Sequence, residues 1–480
     1  MKKIIKIYFF QKHKIQNMLN NFIYDFKVKS KKIEKKEVKS NIVIDLIVPL
    51  YNTPIKYFEQ MLQSVIKQNY KNWNLILVDA SNNGNIKEFL DRKEILIDKR
   101  IKYFHIENNL GIAQNTNYGL EKCSGDYIGF LDHDDFLELD ALSLIVTEIE
   151  NNSKIEVIYT NEDKYNSNTN KYELPYNKTD LDMLKLRCNN YICHFLIFSR
   201  ELYKKIGGED SKFDGAQDYD FILRAIEKAK VVKHLQKTVY HWRIHSHSTA
   251  GNPNSKIEAY ENGRLALINH FNRQGILASV IQSPYYGYYQ IRYLESIPNK
   301  NNICIVFGVE DIKKINLTIQ MENTFDSIIF YTNDNTYYDY KNNKIRNSIE
   351  FGRYDYCCFV NSKLLKNELV HIIKNSINMM NQNKISATSI YTYNKLGIVS
   401  KKVNLCINKS FHYKEVLPNG ENILPRKVDK IRVNCTLVKL SDIVIELNQF
   451  INLTCNCSKI FKEDFKENSL LYLLPEYSEL

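Results

Sequence analysis

Apolar runs short enough to be strands alternate with longer stretches in which apolar residues return every third or fourth position, from Ile42 to beyond Lys228. Ile42 to Leu50 (broken by Asp45), Trp73 to Val78, Ile101 to Ile106, Tyr127 to Leu131, Ile155 to Thr160 and His194 to Ser199 read as strands, most of them apolar as strands covered on both faces are. Pro54 to Gln68, a stretch ending near Ile97, Leu137 to Glu150, Arg200 to Ile206 and Phe221 to Lys228 have the spacing of helices. Repeated strand, turn and helix units predict an open α/β sheet, in which ligands bind beyond the carboxyl ends of the strands.

Chemistry collects at those ends. The run from Gly125 ends in Asp132, Asp134 and Asp135, carboxylates that repel one another unless a cation or hydrogen-bond donors compensate them. A hard divalent ion carrying a diphosphate satisfies such a cluster; Asp135 has the alternative role of capping a helix that begins near Leu137. Asp79 ends another strand, where an acid in nucleotide-binding βαβ folds reads a base or ribose. Asn109-Leu110-Gly111 leads into a helix carrying Asn117, whose first N–H groups suit phosphate, although asparagines serve equally as turn and cap residues. Asn161-Glu162-Asp163 reads as a further acidic tip on the same side. Asp218, in Gln217-Asp218-Tyr219-Asp220, lies at a helix start, where a carboxylate is stabilised in its charged form. The segment from Tyr240 to Thr249 adds His241, His245 and His247, too many for core packing alone.

Composition changes the picture mainly at the N-terminus. A chain of 480 residues with 44% hydrophobic and 25% charged residues is ordinary globular material, and its length suggests about three domains. Residues 1–40 hold twelve lysines against Asp25, Glu34 and Glu37, a surplus of nine out of the net +11. Ile15, Met18, Leu19, Phe22, Ile23 and Phe26 fall at helical spacing within this arm, which suits either an anionic lipid surface or a packing helix with a solvated tail. The arm has no Arg and the chain shows no nucleic-acid-binding module, so nucleic acid is not expected as a partner. The apolar runs are too short to span a bilayer, and Ile4 to Phe10 is too short for a secretory leader. The expectation is therefore a cytoplasmic protein, peripheral at most on the inner face of the membrane. Ten scattered cysteines imply reduced thiols; Cys455 with Cys457, and Cys188 with Cys193 and His194, lack the second pair that structural zinc requires.

The ordered set Pro49-x-Tyr51-Asn52, Val78-Asp79, Asn109-x-Gly111 with Asn117 and Gly119, Leu131-Asp132-x-Asp134-Asp135, Gln217-Asp218-Tyr219-Asp220 and Trp242-Arg243-x-His245 resembles glycosyltransferase family 2, the inverting enzymes of GT-A fold that build bacterial surface polysaccharides. The resemblance covers residues 41 to about 285. It implies a Rossmann-like mixed sheet with flanking helices and a metal-dependent enzyme of the EC 2.4 class. By the same resemblance, Pro49, Tyr51, Asn52, Asp79, Asn109, Gly111, Asn117 and Asp132 would hold a nucleotide. Asp134 and His245 would hold Mg2+ or Mn2+, and Asp218 would be the catalytic base. Asp135, Glu162, Asp163, His194, Gln217, Trp242 and Arg243 are candidates for contacts to donor sugar or acceptor. The donor implied is a UDP- or dTDP-sugar and the acceptor a glycan or lipid-linked hydroxyl. The chain departs from the family pattern at Ala80, Thr116 and Gln217, where Asp, Arg and Glu are usual. Tyr159 to Lys164 and Asn190 to His194 resemble the subgroup acting in capsule and O-antigen assembly.

The chemistry implied is displacement at an anomeric carbon, with a base taking the acceptor proton while a cation holds the departing diphosphate. A nucleotidyltransferase is the first rival, although Tyr51-Asn52-Thr53-Pro54 stands where its Gly-rich phosphate loop belongs. A non-catalytic scaffold that binds sugar nucleotides is the second. Three parts are expected: the arm at 1–40, a catalytic domain at 41–290, and an α/β domain at 300–480. In the last part, Ile303 to Val306, Asp326 to Tyr331, Tyr356 to Asn361 and Ser389 to Tyr393 repeat the order of the first strands without their acids. That order predicts a degenerate GT-A-like domain in which Asn361, Lys363 and Asn394 replace carboxylates; an unrelated accessory α/β domain is the alternative.

Overall fold

The computed structural model describes residues 18–31, 38–245, 257–283 and 285–294, and beyond these only separate stretches between 303 and 475. The chain divides into two compact units, Met1–His270 with Tyr285–Tyr288, and Phe271–Pro284 with Tyr289–Leu480. Among the described residues, no helix is long and apolar enough to cross a membrane.

In the first unit, helix α1 (residues 18–30) precedes β1 (Ile44–Leu50), α2 (Ile55–Ile66), β2 (Trp73–Asp79), α3 (Asn85–Arg92), β3 (Ile101–His105), α4 (Ile112–Glu121) and β4 (Tyr127–Phe130). Then follow β5 (Phe136–Leu137), α5 (Ala141–Asn151), β6 (Ile155–Asn166), β7 (Lys171–Tyr176), α6 (Met183–Cys188), β8 (Leu196–Ser199), α7 (Arg200–Ile206), α8 (Gln217–Lys228), β9 (Val231–Ile244) and α9 (Ile257–Gln274), the last of which runs on past the unit boundary. The strands form one sheet in the order β3-β2-β1-β4-β8-β6-β9-β5, with β7 paired to β6. β1 to β4 are mutually parallel, β8 is antiparallel to both β4 and β6, and β6 and β9 are parallel, so this is a mixed α/β sheet with flanking helices. The carboxyl ends of β1, β2, β4, β6 and β9 therefore lie along one edge.

The central strands are buried on both faces, and each buried Leu, Ile or Val contributes about 1.5–3 kcal/mol. Asp45 interrupts the first apolar run for a reason. Its buried carboxylate accepts the N–H groups of Ser124 and Gly125 at 2.6 and 2.7 Å and the side-chain amide of Asn74 at 2.7 Å, which ties the turn before β4 to β1. Asp45→Ala strands those donors, so urea unfolding should show a loss of about 3 kcal/mol or more, at one to three per orphaned group. A loss below 1 kcal/mol would show that the turn holds itself.

Two of the boundaries that differ from the sequence reading bear on the site. Helix α5 starts at Ala141 because Phe136 and Leu137 pair instead with His241 and Tyr240 of β9; Asp135 is therefore not a helix cap. β6 continues to Asn166, so Glu162 and Asp163 lie inside a strand and not at its tip. Charged residues are tolerated there because each finds a partner, Glu162 in Lys178 and Asp163 in His241.

The second unit holds the hairpin β10 (Ala278–Gln282) and β11 (Tyr289–Tyr293), then β12 (Ile303–Gly308), β13 (Ser327–Tyr331), β14 (Tyr337–Asp339), β15 (Lys344–Arg346), β16 (Tyr356–Asn361), α10 (Leu369–Asn383), β17 (Ala387–Tyr391), β18 (Arg426–Val428), β19 (Lys430–Arg432), β20 (Cys435–Lys439), β21 (Lys459–Phe461) and β22 (Leu471–Pro475). Its large sheet runs β15-β14-β13-β12-β16-β20-β17-β22-β18, and β19 pairs with β21. The central path β13-β12-β16-β20-β17-β22 repeats β2-β1-β4-β8-β6-β9 of the first unit. Chain order is the same, and so is the sense of every pairing: parallel, parallel, antiparallel, antiparallel, parallel. The outer strand differs, since β14 is antiparallel to β13 where β3 is parallel to β2. Asn361 is the last residue of β16; Lys363 and Tyr393-Asn394 lie outside the described residues, as do Cys455 and Cys457.

Candidate active site

A cavity of about 890 Å³ opens at the carboxyl edge of the first sheet, lined by residues that include Pro49, Asp132, His194, Gln217, Asp218 and Trp242. Segments from four strands and three helices thus bring together groups scattered over some two hundred positions of sequence. The cavity is also lined by Thr116 and Cys193, and by Glu209 and Asp214, which the motifs do not include.

Asp218 lies in the first turn of α8. Its carboxylate accepts the side-chain amide of Asn190 at 2.8 Å and the Tyr219 N–H at 2.8 Å, and burial pushes its pKa above the ordinary aspartate value. Neighbouring Gln217 accepts the Gly215 N–H at 2.8 Å, fixing the loop that enters the helix. Arg224, one turn further along α8, pairs with Asp220 at 2.7 Å and donates to the carbonyls of Ile206 and Gly208. This anchors the Gly207-Gly208 turn and sets Glu209 beside the cavity. Glu209 is buried, its Oε2 meets no hydrogen-bond partner, and burial together with Asp218 drives its pKa well up.

The acidic loop after β4 has three carboxylates in three settings. Asp132 is nearly half exposed, with the His194 ring 3.8 Å away. Asp134 meets His245 Nε2 at 2.8 Å, across 111 positions of chain, and the His245 ring packs on Tyr57. Asp135 is fully buried, accepting the Tyr240 hydroxyl at 2.6 Å and the Arg243 N–H at 2.7 Å; burial and its two acidic neighbours raise its pKa well above the usual range. His194 stays neutral because burial lowers its pKa to about 4. Asp132, Asp135 and His194 place ligand atoms within 4.8 Å of one another. Two donor sets for a divalent ion therefore share this loop, the trio just given and the Asp134–His245 pair. In each set the carboxylate oxygen suits Mg2+ or Mn2+, and the imidazole nitrogen favours the softer Mn2+ of the two.

Of the nucleotide candidates, Pro49 and Asp132 line the cavity, and the others lie outside its lining. Tyr51 is half exposed, and Asn52, at a φ of 50°, donates its N–H to Ser81 Oγ. Asp79 is fully buried, accepting the Tyr103 hydroxyl and the Ser81 N–H. Asn109 accepts from Gly111 N–H and from Asn115, and Gly111 has a φ of 93° in a place where a Cβ would strike Asp214. Asn117 does not reach the cavity: its amide clasps the backbone N–H and C=O of Glu209 at 2.8 and 2.7 Å.

Three sugar-contact candidates are also placed elsewhere. Glu162 is buried against Lys178 at 3.0 Å and Lys164 at 3.4 Å; although burial raises its pKa, the two ammonium groups draw it to about 2. Asp163 faces away, bonded to His241 at 2.7 Å and to the Tyr24 hydroxyl at 2.8 Å. Arg243 is 1% exposed beneath the acidic loop, its guanidinium donating to the Asp134 carbonyl and lying over Tyr57, so it positions the loop. Trp242 does line the cavity, with Lys164 3.0 Å above its ring. His247 lies outside the described residues.

His241 carries a separate consequence. Burial lowers its pKa, but Asp163 and Glu138 overcome that and raise it to about 9. The folded form thus binds a proton more tightly than the unfolded chain. Its stabilisation is complete below about pH 6.5 and is lost as pH rises through about 9. The urea midpoint should fall across that window, and in His241→Gln the fall should shrink; an identical pH profile in the variant would remove His241 from the account.

The pattern of the family named Glycosyl transferase family 2 matches residues 45–207. The O-antigen biosynthesis protein RfbC of Myxococcus xanthus is 30% identical over 251 residues, 52% of this chain and 20% of that protein. The hyaluronan synthase of Pasteurella multocida is 24% identical over 385 residues, 76% of this chain and 36% of that protein. The chain thus spans well under half the length of these relatives. The crystal structure of S. aureus TarS 1-349 in complex with UDP-GlcNAc aligns at 20% identity, over 48% of this chain and 67% of that one, with a TM-score of 0.39.

Proposed function

With residues 45–207 a glycosyl transferase family 2 domain, we propose that the chain transfers a sugar, with inversion, from a UDP- or dTDP-sugar to a hydroxyl of a glycan or lipid-linked acceptor in bacterial surface polysaccharide synthesis. The observation that carries this reading is the presence of Asp218 and Asp132 on one cavity at the carboxyl edge of the sheet. Asp218 takes the proton of the acceptor hydroxyl as its oxygen attacks the anomeric carbon, and the bond to the diphosphate breaks on the opposite face. A base and a leaving group on opposite faces invert the centre without a covalent intermediate. Asp132 lies on the ribose and diphosphate side, and Asp79 with the Tyr51-Asn52 turn on the base side.

Asp134 and His245 are the residues proposed to hold Mg2+ or Mn2+, which when bound offsets charge on the departing diphosphate. Both carboxylate oxygens of Asp135 already accept hydrogen bonds in a fully buried setting, whereas magnesium-like ions keep several of their waters. The pair, which does not call on the buried Asp135, suits such an ion better than the trio.

The second unit is proposed to be a decayed copy of the first, on the strength of the shared six-strand path and of Asn361 at the end of β16. It would bind no nucleotide. Donor hydrolysis over a panel of UDP-, GDP- and dTDP-sugars tests the reaction: turnover with a uridine or thymidine donor is expected, and no turnover with any donor would overturn it. Calorimetry with the nucleotide should return one site per chain, and two would refute the decayed copy.

A further inference from the structure

Helix α1 is docked on the first unit with its polar side inward. The Tyr24 hydroxyl donates to Asp163, Asp25 accepts the Tyr172 N–H at 2.9 Å, Asn21 accepts the Leu174 N–H at 3.2 Å, and Lys29 donates to the Asn170 carbonyl at 2.7 Å. Tyr172 and Leu174 belong to β7, whose only partner strand among the described residues is β6, so α1 covers the N–H groups of an open sheet edge. Positions 21, 24, 25 and 29 make one helical face.

The opposite face is apolar and uncovered. Met18, Leu19, Phe22, Ile23 and Phe26 are 64, 51, 62, 44 and 68% exposed, a stripe at helical spacing. A helix that packed simply to bury its apolar side would lie the other way up. Here hydrogen bonds fix the polar side and leave the aromatic and aliphatic groups pointing outward.

We propose that this stripe seats in an anionic lipid bilayer surface, holding the first unit at the membrane by an in-plane helix. Charge selects the occupant. The segment that contains the stripe, residues 1–40, has nine more positive than negative charges, and of its lysines Lys29 and Lys31 pair with acids of the protein. That surplus repels a second copy of the same face, whereas anionic headgroups attract it and the apolar side chains enter the acyl boundary.

The test is flotation of the full chain with vesicles of phosphatidylcholine alone or mixed with phosphatidylglycerol, beside the double variant Phe22→Glu, Phe26→Glu. Both phenylalanines are exposed, so an unchanged melting temperature is expected and confirms folding. The wild type should float with the anionic vesicles about tenfold or more better than with the neutral ones, and the double variant should lose that binding. Raising salt from about 0.05 to 0.5 M should weaken it, as expected when the Debye length shrinks. Equal partition to both vesicles, no flotation, or undiminished binding of the variant would each overturn the proposal. So would a lipid-free dimer that the variant dissolves, since the stripe would then belong to a second copy.

Discussion

Asp218→Asn should lower sugar transfer by about 100-fold or more, the usual scale for loss of a general base, while nucleotide affinity stays within a few-fold. The substitution keeps the shape of the side chain and the bond with Asn190 can re-form through the amide oxygen, so the α8 turn is preserved and only proton acceptance is lost. Asn190→Ala separates positioning from catalysis. It removes one hydrogen bond to the carboxylate, worth about 1.5–3 kcal/mol, so a fall of about 10- to 100-fold is the upper range expected. The pH profile distinguishes the two further. Burial holds the Asp218 pKa above the ordinary value, and the Asn190 bond opposes that rise by favouring the charged form. Without Asn190 the carboxylate is harder to ionise, so the acid limb of kcat/KM should move to higher pH; a merely structural role would lower the rate and leave the limb in place. Unchanged turnover in Asp218→Asn would remove it as the base.

The central sheet was legible because strands covered on both faces must be apolar throughout, and the runs at Leu46, Leu75 and Ile128 have that property with local turns between them. What sequence spacing concealed is long-range compensation. Glu162 and Asp163 looked like a strand tip because two adjacent charges seldom sit inside a sheet; they do so here because Lys178 and His241 neutralise them, and the second of these lies 78 positions away. Asn117 was legible as a polar residue on a helix, but its task, bridging to the backbone of Glu209, is set by a turn 92 positions later. Amphipathic spacing identified α1 and could not say which side faced the protein, since that depends on the edge of β7. Glu209 carried one signal, a carboxylate directly after Gly207-Gly208, and its burial beside Asp218 follows only from Arg224 fastening that turn.

Removing the divalent ion should abolish transfer, and His245→Ala should do nearly as much, about 100-fold or more, since charge stabilisation by a bound ion supplies several kcal/mol. The acidic loop is crowded with three carboxylates, at Asp132, Asp134 and Asp135. Asp135 is compensated by Tyr240 and Arg243, and Arg243 also fixes the Asp134 carbonyl, so the loop is held in shape before any ion arrives. Asp134 and His245 then face each other at 2.8 Å across the loop and the end of β9. If they are the ligands, Asp134→Ala and His245→Ala should each weaken Mn2+ binding by about tenfold or more in calorimetry, and His194→Ala should leave it within a few-fold. If instead the trio of Asp132, Asp135 and His194 binds the ion, the order reverses: His194→Ala loses Mn2+ and His245→Ala keeps it. The neutral state of His194 makes that alternative chemically able, so the comparison of the two histidines decides between the sets. Full activity in excess chelator would remove the ion altogether, and the carboxylates after β4 would then act through hydrogen bonds to the donor alone.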